Sequence, residues 1–248
     1  MANSVEKTMQ TLRALSDSRG KAVTLSDLSA KTGINKSTLS HIIKVLCQDG
    51  YVSRVSHREG YTVGPELFFL TRYGRFGEEI TSSCHSILEY LSRETGGTAI
   101  FSVLNKGKKY IIDYVEGDVS YRDSGASILS DDLYRTVTGR KLLSVLPVDE
   151  AIEVFRQNGL PESGIWDEVK DEQGYLSELE RIKDIDVLVN YTSYKDDRLF
   201  SCATLIYKGE RAVAALGFAM LSKGTDEKHI SALIGKCKHE AERRLKFT

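Results

Sequence analysis

Apolar and polar positions alternate with a helical period through the first part of the chain. Apolar side chains recur every three or four residues from Val5 to Leu15, which predicts a first helix over about residues 4–18. Thr24 followed by Asp27 has the form of a capping box. This pair predicts a short second helix soon after the first.

A third helix follows after a tight turn. Thr32-Gly33 is a helix-terminating pair, and Asn35 is a favourable N-cap for a helix over residues 36–48. Ile34 lies between them and is expected to be buried in the turn. Two short helices joined so closely predict a helix-turn-helix.

The third helix has two chemically different faces. Its apolar stripe consists of Leu39, Ile42, Ile43 and Leu46. The opposite arc contains no acidic residue and consists of Lys36, Ser37, Ser40, His41, Lys44 and Gln48. Short hydroxyl side chains permit close approach to base edges, and lysines reach phosphates or guanine acceptors. This arc predicts a DNA-reading face; the alternative is a solvated helix face that lacks acids.

The next segment predicts a hairpin with a basic tip. Residues 51–55 and 61–63 alternate as short strands around a polar tip over residues 56–60. Arg54 and Arg58 can reach backbone phosphate or the minor groove, although either can also be an ordinary solvated charge. A hairpin after a helix-turn-helix is a wing.

Five stretches carry a resemblance to a known family: Ser4-Val-Glu-Lys7, Leu25-Ser-Asp-Leu-Ser-Ala-Lys-Thr-Gly33, Asn35-Lys-Ser-Thr-Leu-Ser-His41, Asp49-Gly-Tyr-Val52 and Tyr61-Thr-Val-Gly-Pro65. In this order they resemble the winged helix-turn-helix of the IclR family of bacterial transcription regulators, from residue 4 to about 72. The resemblance implies a homodimer, or a dimer of dimers, on an inverted-repeat operator in double-stranded DNA. We expect Lys36, Ser37, Thr38, Ser40 and His41 to lie near bases, and Lys44, Arg54 and Arg58 near phosphates. Thr38 can instead cap or pack, because it is β-branched.

A short apolar helix follows the wing, at the place where the family has its linker helix. Its Phe68/Phe69 pair predicts a partner surface, with burial against the chain's own wing as the alternative. The predicted domains are therefore a winged helix-turn-helix over 1–65, a linker helix over 66–77 and an effector-binding domain over 78–248.

The remaining chain predicts an α+β domain with a largely antiparallel sheet. Helices are expected at about 78–95, 138–146, 149–158, 174–184 and 225–245, and strands at about 98–104, 109–115, 185–191, 201–207 and 211–220. The resemblance here is patchier and implies a GAF-like sensor of small molecules. The segments that carry it are Ser86–Gly96, Thr138–Leu143, Cys202-Ala203 and Val213–Leu216.

An anion site is expected where the second predicted helix of this domain begins. Thr136 or Thr138 can cap that helix and leave backbone N–H groups for a carboxylate, although both can merely be caps. The resemblance implies effector contacts at Val137, Thr138, Gly139, Cys202, Gly217 and Ala219, with the loop over 190–197 nearby. Cys202 can alternatively be a small core residue. Gly217 and Ala219 offer no hydroxyl, which favours a larger or more apolar acid, or a degraded site.

Composition narrows the remaining function classes. Residues 1–75 carry eleven Lys or Arg against six acids, whereas the rest carries 23 against 29, which is typical of a polyanion-binding module on an acidic carrier. The sequence has no long apolar run, no secretory signal, no metal-ligand spacing and no catalytic or cofactor motif. We therefore expect a cytoplasmic regulator, more often a repressor than an activator, that binds DNA and a carboxylate-bearing effector without cofactor, metal or membrane. A DNA-binding protein with a vestigial sensor, or an enzyme on a sensor-like fold, are the alternatives.

Overall fold

The computed structural model describes residues 3–18, 20–56, 58–71, 78–117, 132–194, 197–222 and 226–246. The chain divides into two compact units, Met1–Arg75 and Phe76–Thr248. In its described residues, the first unit forms three helices, a two-stranded hairpin and a fourth short helix. The second is built on a five-stranded sheet.

The elements of the first unit follow the predicted order. They are α1 (Ser4–Ser16), α2 (Leu25–Thr32), α3 (Lys36–Gln48), β1 (Val52–Ser56), β2 (Gly60–Val63) and α4 (Pro65–Thr71). The helical stripes predicted from the sequence form one apolar core in this unit, in which Leu15, Leu28 and Leu39 are fully buried. Burial of each such side chain contributes on the order of 2 kcal/mol. The predicted winged helix-turn-helix is confirmed.

A third chain segment fixes the wing to the helices. Val23, which precedes α2, forms an antiparallel bridge to Tyr61 of β2. Gly60 permits this approach, because a Cβ atom there would lie 2.2 Å from the Val23 carbonyl oxygen. A side chain at residue 60 is therefore excluded, and the wing is held beside the helix-turn-helix.

The second unit is an α+β domain, as predicted. Its elements are α5 (Glu78–Thr95), β3 (Thr98–Asn105), β4 (Lys108–Val115), α6 (Val137–Leu143), α7 (Val148–Asn158), α8 (Glu172–Lys183), β5 (Leu188–Tyr194), β6 (Asp197–Lys208), β7 (Arg211–Leu221) and α9 (Glu227–Leu245). The strands form one antiparallel sheet in the order β4-β3-β7-β6-β5.

Helices cover both faces of this sheet. One face packs against α5 and α9 around Phe101, Phe200 and Phe218. The other face packs against α6, with α7 and α8 outside it around Trp166 and Tyr175. Because side chains alternate along a strand, each strand residue belongs to one of these two layers.

The expected loop over 190–197 was wrong. β5 extends to Tyr194 and pairs with β6 from Asp197, so most of this stretch is a hairpin at the edge of the sheet. The sequence concealed it because residues 190–197 are mostly polar, so the stretch lacks the apolar alternation by which a half-buried strand is recognised. Residues 195 and 196 lie outside the described residues.

Candidate functional site

Short local signals place the predicted DNA-reading helix. Gly33 ends α2 in the left-handed conformation, with φ at 68°. Asn35 then caps α3, its side-chain oxygen accepting from the Thr38 backbone N–H at 2.8 Å. Between them the Ser29 hydroxyl donates to the Ile34 carbonyl oxygen at 2.7 Å, and the Ile34 side chain is buried. The turn is thus fixed by both polar and apolar contacts.

The two faces of α3 lie as the sequence predicts. Leu39, Ile42, Ile43 and Leu46 are buried in the core of the first unit. The exposed side chains include Lys36, Ser37, Ser40, His41, Lys44 and Gln48. Thr38 is only half-exposed. The helix has 13 residues, about 20 Å of length, and can enter a major groove that is about 12 Å wide.

The wing carries two of the three residues predicted to lie near phosphates. Arg58 and Arg54 are both exposed, and the Arg54 guanidinium lies 5.7 Å from the centroid of the Tyr61 ring. This ring supports the guanidinium beside the hairpin. Residue 57, at the predicted wing tip, lies outside the described residues.

Apolar side chains are exposed on two helices of the first unit. Phe68 and Phe69 on α4 are 68% and 54% exposed, and Leu70 beside them is also exposed. Val5 and Met9 are exposed on α1. Within the described part of this unit, the wing therefore does not bury the phenylalanine pair, which was the alternative to a partner surface.

In the second unit, Thr136 is the residue that caps α6. Its hydroxyl accepts from the Gly139 N–H at 3.2 Å and donates to the Asp132 carbonyl oxygen at 2.8 Å. The Arg140 N–H is bonded to the Thr136 carbonyl oxygen. The N–H groups of Gly139 and Arg140 are therefore already satisfied within the chain. Val137 is buried in the apolar layer beneath α7 and α8.

Thr138 contacts the final strand. A Cβ atom at Gly217 of β7 would lie 2.3 Å from the Thr138 methyl carbon and 3.2 Å from Ile100 of β3. Gly217 therefore does not offer the additional space that its lack of a side chain predicted. Ala219, two residues further on the same face, packs with Ile100 and Leu199.

Cys202 lies on the opposite face of the sheet from Thr138. It pairs with Phe218 and packs in the layer against α5 and α9. Burial raises the pKa of the Cys202 thiol far above its ordinary value, so the sulfur stays protonated. The structure does not bring it together with Gly217 and Ala219. The neighbouring residue of β6, Ser201, pairs with Ala219 of β7. Ser201 therefore lies on the face of the sheet that packs against α6, where Cys202 was expected.

The structure also places a buried lysine beside the predicted anion site. Lys109 of β4 is 3% exposed, and its Nζ donates to Thr136 Oγ1 at 2.8 Å and approaches Thr138 Oγ1 at 3.5 Å. Sequence reasoning missed this residue. A signal was present, because Lys109 precedes Ile111 at the inward-facing spacing of an alternating strand.

Within the described ranges, no group of three or more His, Cys, Asp or Glu residues is arranged to hold a metal ion. No helix there has both the length and the apolar character that crossing a bilayer requires.

Two family models match the chain. Residues 4–56 match the IclR helix-turn-helix domain, and residues 77–243 match the C-terminal domain of the bacterial transcriptional regulator IclR. The boundary between these matches falls close to the boundary between the two compact units.

Individual relatives agree with the family match. A helix-turn-helix transcriptional regulator of Mycobacterium tuberculosis is 26% identical over 179 residues, which are 72% of this chain and 67% of the relative. The transcriptional repressor IclR of Escherichia coli is 23% identical over 159 residues, 63% of this chain and 58% of the repressor. The chain thus matches less than two thirds of the repressor's length.

Solved structures share the fold. An IclR homologue of Microbacterium hydrocarbonoxydans, crystallised with 4-hydroxybenzoate, aligns with a TM-score of 0.80 at 14% identity and covers 99% of this chain and 100% of its own. The winged helix-turn-helix, the antiparallel sensor-like sheet and the two family matches lead to one conclusion. The chain belongs to the IclR family of DNA-binding transcriptional regulators.

Proposed function

We propose that this protein represses transcription in the cytoplasm by binding an inverted-repeat operator, and that a carboxylate-bearing metabolite bound to the second unit changes its affinity for that operator. The observation that carries the DNA-binding part is the acid-free exposed arc of α3, which lies over a buried apolar stripe. Lys36, Ser37, Thr38, Ser40 and His41 would approach bases. Lys44, Arg54 and Arg58 would bind phosphates.

Dimerisation would supply the symmetry of the operator. Exposed apolar side chains on α1 and α4, including Phe68 and Phe69, support a contact between two first units. A symmetric pair would place two α3 helices in successive major grooves, about 34 Å apart or at a multiple of that distance. Pairs of such dimers would extend the assembly to a tetramer.

Effector binding would act through the second unit. The proposed site lies between the entry to α6, at Val137, Thr138 and Gly139, and the facing strand at Gly217 and Ala219; the support for it is that Thr138 contacts Gly217. Cys202 faces the other layer, so Ser201 takes its place in the proposal. A relative of the same fold is crystallised with 4-hydroxybenzoate, which supports a carboxylate ligand. The ligand shifts the equilibrium only if it binds the DNA-competent and DNA-incompetent arrangements with unequal affinity.

The test of DNA binding is a selection experiment. The purified chain is mixed with fragmented genomic DNA and bulk competitor at moderate ionic strength, and bound fragments are sequenced. Enrichment of fragments that share an inverted repeat supports the proposal. Equal recovery of all fragments, with and without added metabolites, contradicts it.

A second candidate function is a DNA-binding protein with a vestigial sensor. The close contact between Thr138 and Gly217 favours it, because side chains already occupy this part of the expected pocket. Thermal unfolding against a metabolite library separates the two candidates, since any ligand of the folded state raises the midpoint. A selective DNA binder that no compound stabilises would favour the vestigial sensor.

A further inference from the structure

A buried cation lies beside α6 in the second unit. Lys109 pairs with Leu104 in the β3–β4 hairpin, and Leu104 packs with Leu142 of α6 and with Leu205. Lys109 therefore lies on the α6 face of the sheet. Its Nζ is within hydrogen-bond distance of Thr136 Oγ1 and at the limit of that distance from Thr138 Oγ1, which places a positive charge at the entry to the helix.

The two threonines use their hydroxyls differently. The Thr136 hydroxyl accepts from Lys109 and Gly139 and donates to the Asp132 carbonyl oxygen, so its capacity is taken up within the chain. The Thr138 hydroxyl lies 3.5 Å from both Lys109 Nζ and Thr136 Oγ1, which is long for an N–H···O and for an O–H···O hydrogen bond. Thr138 therefore has a donor that a better acceptor would attract.

A second polar group faces the same layer. Ser102 of β3 pairs with Ile111 of β4, so Lys109 is its diagonal neighbour, two residues along the partner strand. Diagonal neighbours on one face are within reach of long side chains. The Ser102 hydroxyl oxygen is fully buried and has no hydrogen-bond partner among the residues that the structure describes. A buried hydroxyl without a partner destabilises the folded state, and an acceptor provided by a ligand would remove that cost.

We propose that Lys109, Ser102 and Thr138 form an oxyanion subsite that recognises the carboxylate of the effector, with Lys109 as the specificity-determining residue. The ammonium supplies charge, and the two hydroxyls supply directed donors. This inference rests on the proposed effector binding by the second unit, and it names the residues that recognise the negative charge of the effector. It moves the carboxylate towards β3 and β4, away from Cys202.

The experiment compares acids with neutral amides of the same shape. Full-length protein is titrated with acetate, benzoate and 4-hydroxybenzoate, and with acetamide, benzamide and 4-hydroxybenzamide, each to about 10 mM, and the unfolding midpoint is followed. We expect at least one acid to bind the wild type about tenfold more tightly than its amide. An acid and amide that bind alike, or six probes that all fail to stabilise the wild type, overturn the inference.

Matched variants assign the charge to one side chain. Lys109→Met is expected to weaken acid binding by about tenfold to a hundredfold and to abolish the preference over the amide, because a charge-assisted hydrogen bond is lost. Lys108→Met is the control, since Lys108 is the exposed neighbour on the same strand and should leave both properties unchanged. Ser102→Ala should weaken acids severalfold and keep the preference. Unchanged acid binding by Lys109→Met overturns the inference.

Two further measurements keep the result interpretable. If Lys109→Met does not fold, the role of the charge is tested with Lys109→Arg and with the comparison of acid and amide binding to the wild type. Arg should preserve the preference for acids, and its loss in that folded variant counts against recognition by charge. The operator selection is run on the same preparations. Selective DNA binding with equal acid and amide binding rejects only the subsite, whereas loss of DNA selectivity rejects the proposed function.

Discussion

Thr138 and Gly217 contact one another across the interface between α6 and the sheet, and the threonine methyl group lies against the glycine, where any other residue would have its Cβ atom. A Cβ atom at residue 217 would lie 2.3 Å from the Thr138 methyl carbon, a separation that real Cβ contacts essentially never show. Interiors are packed as densely as organic crystals, so neither element can withdraw without losing other contacts. This pair therefore sets how closely α6 approaches β7.

Gly217→Ala should lower the free energy of unfolding by about 1–3 kcal/mol, because an added methyl in a filled interior forces neighbours out of position. Thr138→Ser removes the opposing methyl and keeps the hydroxyl near Lys109. The double variant Gly217→Ala/Thr138→Ser should therefore be more stable than the sum of the single changes predicts. Urea unfolding of the four proteins measures this coupling.

Gly235→Ala is the control for that cycle. Gly235 lies within α9, and among the described residues no atom of another element lies within 4 Å of an added Cβ. Alanine in a helix interior is favoured over glycine by roughly 0.5–1 kcal/mol, so this variant should be neutral or slightly stabilised. Equal loss of stability in Gly217→Ala and Gly235→Ala, or additive effects in the double variant, would contradict the packing argument.

Lys44→Ala and Ser40→Ala separate the two expected roles of the exposed face of α3. Lys44→Ala should weaken binding to all DNA sequences and reduce the slope of log affinity against log salt by about one, because one phosphate contact is lost. Ser40→Ala should alter the preferred sequence and leave that slope unchanged. Fluorescence anisotropy at several salt concentrations, with selected and random duplexes, measures both.

Lys170→Ala is the matched control for this pair. Lys170 is an exposed lysine of the second unit, and its loss removes the same charge from the chain without touching α3. It should leave the salt slope and the sequence preference as in the wild type. If Lys44→Ala and Ser40→Ala weaken DNA binding equally and both keep the sequence preference of the wild type, the roles of this helix face are assigned incorrectly.

Asn35→Ala should destabilise the DNA-binding unit by about 1 kcal/mol, because the Thr38 N–H loses the side-chain oxygen that caps α3 at 2.8 Å. Asn35→Asp keeps an acceptor at the cap and should retain most of the stability. Amide hydrogen exchange of α3 in the full chain measures the change locally, since a two-unit protein need not unfold in one step. Faster exchange in both variants alike would reject capping as the cause.

Local signals account for what the sequence predicted well. Asn35 and Gly33 act within their own turns, and the stripe from Leu39 to Leu46 needs only the helical period, so α3 and its exposed face could be inferred without tertiary structure. The order of elements in the second unit followed from the same kind of pattern. The hairpin at the sheet edge did not, because its polar residues carry little periodicity.

The site in the second unit depends on strand register, which the sequence leaves undetermined. Adjacent residues of a strand face opposite sides, so a difference of one position exchanges Cys202 for Ser201. The pairing of Cys202 with Phe218 decides which one lies on the α6 face. Lys109 was missed for a related reason. A charged side chain is assigned to solvent by default, so its inward-facing position on the strand was overlooked, although the structure leaves it only 3% exposed.

The exposed phenylalanine pair of α4 predicts a change of assembly. Replacing Phe68 and Phe69 with Ser should shift the protein towards the monomer in sedimentation velocity, because two large apolar side chains leave the proposed contact. Operator affinity should fall along with dimer formation. Val148→Ser is the control, since Val148 is also exposed but lies in the second unit. An unchanged sedimentation coefficient in the double phenylalanine variant would reject this surface.

Lys141 of α6 gives the second unit a stability that depends on pH. Its Nζ is buried and donates to the carbonyl oxygens of Ile182 and Ile185 at 3.1 and 2.7 Å. Burial, and then the nearby charge of Lys238, lower the pKa of Lys141 to about 8 from an ordinary 10.5. Between these two values the unfolded chain binds more protons than the folded one, so the contribution of this group to the free energy of unfolding rises with pH. Below about pH 8 Lys141 is protonated in both the folded and the unfolded state, so the folded state bears the full cost of burying the charge.

Raising the pH from 7 to 9.5 should therefore recover about 2 kcal/mol through Lys141. Lys141→Met removes that rise, while all other titrating groups remain and cancel in the comparison. The measurement is urea unfolding of wild type and variant at both pH values. Lys170→Met, at an exposed position, should keep the wild-type rise. If the free energy of unfolding depends on pH equally in the wild type and in Lys141→Met, the Lys141 ammonium is not the titrating group.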